Sequence, residues 1–133
     1  MTPEAFYRTV MKTSGDDRRE RAKRATAAVF HALRDRLTAG ESDQVVAQLP
    51  AGLKEVWRAG EKAERRPAKL HRAEFFERVK AERGAESTQE VRWVTLAEFA
   101  ALKEQLSPGE AEDVLAQLPK DLKEVWAEAQ AEA

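Results

Sequence analysis

The sequence predicts an all-α fold made of two tandem four-helix repeats that pack with pseudo-twofold symmetry. Three observations indicate this fold: an internal repeat, apolar residues spaced three and four apart, and helix start and stop signals at equivalent positions of the two copies. When the 133-residue chain is shifted by 69 positions, residues 6–57 align with residues 75–126 without gaps and share 21 identities in 52 pairs. Such similarity is far above that of unrelated helices, so we infer an internal duplication.

The first helix of each copy is bounded by recognisable signals. Thr2 offers a side-chain oxygen to cap the helix start, and Pro3 suits the first helical position. Gly15 and its equivalent Gly84 favour the left-handed conformation that ends many helices. One apolar face is predicted from the spacing of Phe6, Tyr7, Val10 and Met11.

The second helix is the longest element of each copy. Asp16 and Asp17 are predicted to open it in the first copy, and a Ser87-x-x-Glu90 capping box in the second. Its core-facing stripe consists of Ala22, Ala25, Val29, Leu33 and Leu37, matched in the second copy by Val91, Val94, Phe99, Leu102 and Leu106.

Matching capping boxes are predicted to start the third helix of each copy. They are Thr38-x-x-Glu41 and Ser107-x-x-Glu110. In such a box, the first side chain accepts a hydrogen bond from the glutamate's backbone N–H, and the glutamate side chain reaches back to the N-cap N–H. Both boxes therefore predict locally satisfied helix starts.

A proline corner joins the third and fourth helices in both copies. The residue before a proline is disfavoured in the α region, so the third helices are predicted to end at Leu49 and Leu118. Pro50 and Pro119 are predicted to begin the fourth helices with almost no loop. The buried face of the fourth helix comprises Leu53, Val56 and Trp57, and its counterpart Leu122, Val125 and Trp126.

A basic linker separates the copies. We assign residues 1–57 to the first repeat, 58–71 to the linker and 72–133 to the second repeat. The fourth helix of the first repeat is expected to continue into the linker until Pro67 stops it.

The tandem pattern resembles a bacterial family, domain of unknown function DUF2267. Its features are an aromatic-x-x-x-Val segment followed by Gly, a long Ala/Leu-rich helix, Leu-x-x-Gly-Glu, and Gln-Leu-Pro-x-x-Leu, most of them present twice. The resemblance covers nearly the whole chain and implies an all-α fold of two similar halves. It implies no activity, so no functional residue is carried over from it.

Composition restricts the class of protein. Cysteine is absent, which excludes disulfides and thiolate metal sites and suits a reducing compartment. No apolar run follows a basic stretch at the N-terminus, and no segment reaches the length of a membrane span. We therefore expect a cytoplasmic protein without membrane association.

Neither catalysis nor metal binding is predicted. The serines lack a nucleophile context, and the glycines do not form a phosphate-binding loop. His31 and His71 are the only residues suited to act as bases near neutral pH, and His71-x-x-Glu74 is a pair rather than a metal site. We assign no catalytic residues, no metal ligands and no cofactor.

Charge is distributed unevenly between the halves. Residues 1–69 carry 15 Lys/Arg and 10 Asp/Glu, whereas residues 70–133 carry 8 and 14. Basic residues crowd the start of the second helix, where the helix dipole opposes them. Candidate polyanion contacts are therefore Arg18, Arg19, Arg21, Lys23 and Arg24.

One face of the second long helix is unusually apolar. At 100° per residue, the side opposite the core stripe carries Arg24, Ala27, Ala28 and His31 in the first copy and Trp93, Leu96, Ala97 and Ala100 in the second. We expect Trp93, Leu96 and Ala100 to pack on the first repeat, and a face for a partner or an apolar ligand is the alternative.

These observations favour a non-enzymatic helical module for protein interaction or structure, with an unidentified protein partner. Polyanion or nucleic-acid binding through the basic first half is the second hypothesis. Binding of a small apolar ligand between the halves is the third, and catalysis ranks last.

Overall fold

A computed structural model of the chain describes residues 2–63, 65–84 and 87–130. Within these ranges the structure contains eight α-helices and no strands, which confirms the predicted all-α class with four helices in each half. The helices are α1 Pro3–Ser14, α2 Arg19–Arg36, α3 Ala39–Ala47, α4 Ala51–Arg58, α5 Arg72–Arg83, α6 Thr88–Gln105, α7 Pro108–Ala116 and α8 Lys120–Glu128. None of the described helices combines the length and the apolar character that a membrane span requires.

Most predicted helix boundaries are observed. The Thr2 hydroxyl accepts a hydrogen bond from the backbone N–H of Ala5 at 3.1 Å. Gly15 and Gly84 end α1 and α5 in the left-handed conformation, with φ of 77° and 80°. At both proline corners, the proline is the N-cap residue of the following helix. Local signals therefore place these helix ends correctly.

Some boundaries differ from the prediction. The helices α3 and α7 end at Ala47 and Ala116, two residues before the predicted Leu49 and Leu118.

The other differences concern α2 and α4. The helix α2 begins at Arg19, because Asp16 caps the preceding turn by accepting from the backbone N–H of Arg18 at 3.1 Å. The expected extension of α4 toward Pro67 is wrong, since this helix ends at Arg58 and Gly60 has a positive φ of 76°.

A buried arginine explains why α4 ends there. The Nη1 atom of Arg34 donates to the carbonyls of Trp57 and Ala59 at 2.8 and 2.7 Å. These carbonyls are thereby satisfied without a further helical turn. The equivalent Lys103 of α6 donates to the carbonyls of Trp126 and Ala129 at the end of α8. A basic side chain of the long helix therefore caps the last helix in both halves.

The linker returns along the C-terminal half of α2. The backbone N–H of Ala68 donates to the Asp35 carbonyl at 2.7 Å, and Nη1 of Arg65 donates to the Leu37 carbonyl at 2.8 Å. Leu70 then enters the core with 8% of its surface exposed. The linker is therefore packed against the first repeat before α5 begins.

Each repeat contributes a row of three aromatic rings to one continuous core. Neighbouring rings lie 5.5 and 5.2 Å apart in the first repeat and 5.8 and 5.0 Å apart in the second, within the range of favourable aromatic pairs. The two rows are Phe6–Phe30–Trp57 and Phe75–Phe99–Trp126.

The two halves pack against each other through helix pairs that combine one helix from each half. The helix α1 packs on α6, α2 packs on α5, α2 contacts α6, and α3 contacts α7. Under the 69-residue alignment, each of these pairings maps onto another of the same set. This reciprocity agrees with a twofold relation, which itself stays a prediction.

At the α3–α7 contact, two glutamines cross between the repeats. The Gln117 side-chain oxygen accepts from the backbone N–H of Thr38 at 2.9 Å, and Gln48 accepts from Ser107 at 2.7 Å. The N-cap N–H groups that the capping boxes assigned to glutamates are therefore bonded by glutamines of the opposite repeat. Only the other half of each box forms, with Thr38 and Ser107 accepting from the backbone of the box glutamates at 3.2 Å.

The two glutamates of the capping boxes lie close to each other at the α3–α7 contact. Glu41 and Glu110 are both buried, and their carboxylate oxygens lie within 4.8 Å of each other and of Asp113. Burial, together with the hydrogen bond and the negative charge of Glu41, raises the pKa of Glu110 to about 8. Glu110 therefore keeps its proton to a higher pH than an exposed glutamate does.

The proline corners should be sensitive to loss of apolar volume. Leu49 and Leu118 are only 4% and 3% exposed, so Leu49→Ala and Leu118→Ala should each lower the free energy of unfolding by ~2–5 kcal/mol. Urea denaturation followed by circular dichroism measures this loss, with the exposed Gln44→Ala as a control. A loss below ~0.5 kcal/mol would mean that the corner does not contribute to the core.

The glutamate pair predicts that Glu110→Gln alters the pH dependence of stability. Because the pKa of Glu110 is raised in the folded state, the protonated Glu110 adds fully to the free energy of unfolding below about pH 4.5. This contribution falls as pH rises and is lost above about pH 8. The free energy of unfolding of wild type should therefore fall by about 2–4 kcal/mol between pH 5 and 8.5 relative to that of Glu110→Gln, since each pKa unit corresponds to ~1.4 kcal/mol. Urea titrations at several pH values measure the difference, with the neighbouring exposed Glu112→Gln as control. Parallel pH profiles for Glu110→Gln and wild type would contradict the raised pKa of Glu110.

Candidate binding pocket beside Trp93

A pocket of about 570 Å³ opens between the two repeats. The C-terminal end of α1, the N-terminal end of α2 and the N-terminal half of α6 form its walls. Its apolar lining consists of Val10, Ala22, Ala25, Trp93 and Val94. A volume of this size is in the range of known ligand pockets, and both repeats are needed to form it.

Trp93 stands at this pocket with 58% of its surface exposed, and it is the one large hydrophobic side chain in the described part of the chain that is exposed. The expectation that Trp93 is buried against the first repeat is therefore wrong. The physical reason is helix length: α1, which packs on α6, ends at Ser14, and the chain turns at Gly15 beside the pocket. An exposed tryptophan at a pocket is a candidate binding residue.

The rest of the same α6 face is buried as expected. Ala97 and Ala100 are only 1% and 2% exposed, and Leu96 is half-buried against the core. The predicted face is therefore divided: its C-terminal part is in the shared core, whereas its N-terminal part, at Trp93, lines the pocket.

The charged residues at the pocket neutralise each other across the repeats. Arg21 lies 3.0 Å from Asp16 and 2.7 Å from Glu90, and Arg83 donates to the same Glu90 oxygen at 2.8 Å. Arg21 and Glu90 occupy equivalent positions 69 residues apart, so the basic first half meets the acidic second half here. These groups are paired with one another, although Nε of Arg83 has no hydrogen-bond partner among the described residues, and the pocket offers mainly apolar surface to an occupant.

Three of the five candidate polyanion contacts have carboxylate partners within the protein. Arg18 pairs with Asp16 at 3.1 Å, Arg19 pairs with Glu4, and Arg21 has the two partners described above. Partial burial opposes ionisation of Asp16, but hydrogen bonds from the backbone and side chain of Arg18 outweigh it and lower its pKa.

Lys23 and Arg24 have no ion pair within the described ranges, and they are half-buried and exposed, respectively. The five basic residues therefore do not form one open cationic surface.

A buried carboxyl group that the sequence analysis missed lies on α6 one turn after Val94. Glu98 is fully buried, and the Thr26 hydroxyl lies 2.9 Å from each of its carboxyl oxygens. Burial raises the pKa of Glu98 well above its usual value, although the hydrogen bond with Thr26 opposes the shift. The repeat alignment contains a signal for it, because Val29 occupies the equivalent position of the first repeat. Through this contact with Thr26, Glu98 joins α2 to α6.

The two histidines lie apart from this pocket. His31 is half-buried, with Nδ1 2.7 Å from Glu82 and Nε2 2.7 Å from the Val56 carbonyl. His71 is exposed at the start of α5. Neither histidine lines the pocket beside Trp93.

A family model described as an uncharacterised conserved protein, DUF2267, matches residues 4–125. The chain belongs to the DUF2267 family. The match confirms the resemblance seen in the repeated motifs, and it covers both repeats and every lining residue of the pocket beside Trp93. No curated protein matches the chain in sequence.

The exposure of Trp93 predicts a fluorescence difference within this DUF2267 chain. Trp57 and Trp126 are 0% and 2% exposed, so acrylamide should quench mainly the emission of Trp93. Trp93→Phe should remove the readily quenched component and change stability by less than ~0.5 kcal/mol, as expected for a surface substitution. The urea-unfolded chain is the reference for full access. Equal quenching of Trp93→Phe and wild type would contradict the exposed position.

Proposed function

We propose that this protein is a non-enzymatic binding module that recognises another protein through the pocket beside Trp93. The observation that supports it is an exposed tryptophan beside a pocket of about 570 Å³, in a protein whose other large apolar side chains, among the described residues, are packed in the core or against it. The cysteine-free sequence suits a cytoplasmic location for such a module.

The chemistry of the pocket favours an apolar side chain as occupant. Its lining combines Trp93 with valines and alanines, and the neighbouring Arg21, Arg83 and Glu90 are already paired. Tryptophan and arginine are the residues most often found at the energetic centres of protein interfaces. A partner segment that inserts one bulky apolar side chain would cover Trp93 and remove its indole ring from water.

A protein segment fits this geometry better than a small apolar ligand. Small-molecule sites bury most of the ligand surface, whereas Trp93 is 58% exposed and stands at an open pocket. Coverage of an open tryptophan requires a surface that extends beyond the pocket, as a folded or helical segment of a partner provides. Polyanion binding through the start of α2 is less well supported, because Arg18, Arg19 and Arg21 are paired with carboxylates.

Selection from a displayed peptide library tests this proposal even though the partner is unidentified. Peptides that bind wild type but not Trp93→Ala should carry a bulky apolar residue at a common position. In titration calorimetry, Trp93→Ala should weaken their binding by about 2 kcal/mol or more, as for a central interface tryptophan. Glu104→Ala, an exposed change at the far end of α6, is the matched control and should leave the affinity unchanged.

Two results would overturn the proposal. Peptides whose affinity is the same for wild type and Trp93→Ala would show that the pocket is not the recognition site. Binding of small apolar molecules such as indole derivatives, lost in Trp93→Ala while no peptide is selected, would assign the pocket to a small ligand instead.

A further inference from the structure

A second pocket, of about 670 Å³, lies between the C-terminal half of α2, the linker and α5. Its lining is strongly basic, with five Lys or Arg side chains against two carboxylates. The cations are Arg34, Lys62, Arg65, Arg66 and Arg78, and the carboxylates are Asp35 and Glu82. The pocket therefore concentrates positive charge in a concave site, although the whole chain has a formal charge of −1.

Part of this basic wall is held rigidly. Asp35 joins two arginines, with Arg34 at 2.8 Å and Arg78 at 2.5 Å. Burial opposes ionisation of Asp35, but the hydrogen bonds and charges of Arg34 and Arg78 outweigh it and lower its pKa. Arg34 already donates to the carbonyls at the end of α4, so it contributes positive charge to the pocket and fixes the position of Asp35. Arg78 is 41% exposed, and one carboxylate occupies only part of its guanidinium.

The linker supplies basic groups with remaining hydrogen-bonding capacity. The Arg65 side chain is only 9% exposed; it donates to Glu61 at 3.1 Å and to the Leu37 carbonyl, yet its Nη2 atom has no hydrogen-bond partner among the described residues. Glu61 balances the charge of Arg65, and the unpartnered Nη2 atom is shielded from solvent, so Arg65 contributes positive charge to the pocket wall rather than an open donor. Lys62 and Arg66 are exposed at the same pocket and form no ion pair within the described part of the chain.

We propose that this basic pocket binds a small phosphorylated anion, of the phosphate monoester or pyrophosphate class. Guanidinium groups match phosphate oxygens in geometry and charge, and ammonium groups add further donors. The site is a pocket rather than an extended stripe, which suits a compact anion better than a nucleic-acid backbone. Its residues are distinct from those of the pocket beside Trp93, so the inference goes beyond the proposed protein-binding function.

The position of the pocket indicates what such a ligand would do. Its walls come from the first repeat, from the linker and from α5 of the second repeat. An anion held by Lys62, Arg66 and Arg78 would therefore tie the linker to the seam between the repeats. Binding should raise the thermal stability of the whole chain as ligand concentration increases.

Titration calorimetry with pyrophosphate at constant ionic strength tests the site. Wild type should bind, and the double variant Lys62→Gln/Arg66→Gln should bind about tenfold more weakly or worse, since each charged hydrogen bond corresponds to roughly a tenfold change in affinity. Lys54→Gln/Lys69→Gln is the matched control, because it removes the same charge from residues that do not line the pocket. Unchanged circular dichroism spectra would establish that both double variants fold.

Three comparisons decide the outcome. The control variant and Trp93→Ala should bind pyrophosphate like wild type, which separates this site from the protein-binding pocket. No pyrophosphate binding at millimolar concentration, or equal loss in both double variants, would overturn the proposal. Tighter binding of a short single-stranded oligonucleotide, weakened equally in both double variants, would overturn it in favour of a diffuse polyanion surface.

Discussion

Burial of helix faces across the repeat boundary is the constraint from which the other features of this protein follow. The helices α1 and α2 of the first repeat pack on α6 and α5 of the second, and both aromatic rows belong to one continuous core. Each repeat therefore leaves apolar surface that only the other repeat covers. The two pockets follow from this packing between the repeats, because both lie where helices of different repeats and different lengths meet.

Several equivalent positions of the two repeats carry complementary rather than identical side chains. Arg21 pairs with Glu90, the residue at the equivalent position of the second repeat, so this contact between the repeats joins opposite charges. The fully buried Glu98 replaces the Val29 of the first repeat and bonds to Thr26 across the seam. Such differences make the contact between the repeats asymmetric, and the pocket with the exposed Trp93 lies at one end of it.

The α3–α7 contact shows how tertiary structure can reassign a local motif. The capping boxes at Thr38 and Ser107 provide glutamates for the N-cap N–H groups, but the glutamines of the opposite repeat occupy those positions. Glu41 and Glu110 lie close together at this contact, where burial and the charge of Glu41 raise the pKa of Glu110. The duplicated Gln-Leu-Pro segment thus has two structural roles: its proline starts a helix, and its glutamine joins the repeats.

The amino-acid sequence alone was enough to predict the all-α class, the membership of the family and most helix ends. These features depend on local chemistry, such as a cap hydroxyl, a left-handed glycine or a proline that cannot continue a helix. Helix packing settled three further points: α4 ends at Arg58, Trp93 is exposed while Ala97 and Ala100 are buried, and Glu41 meets Glu110. Each of these outcomes depends on a neighbour from elsewhere in the chain: the Arg34 side chain at the end of α4, the end of α1 beside Trp93, and the glutamines of the opposite repeat beside Glu41 and Glu110. Periodicity identifies an apolar face, but only the length of the helix packed against it decides which residues of that face remain in water.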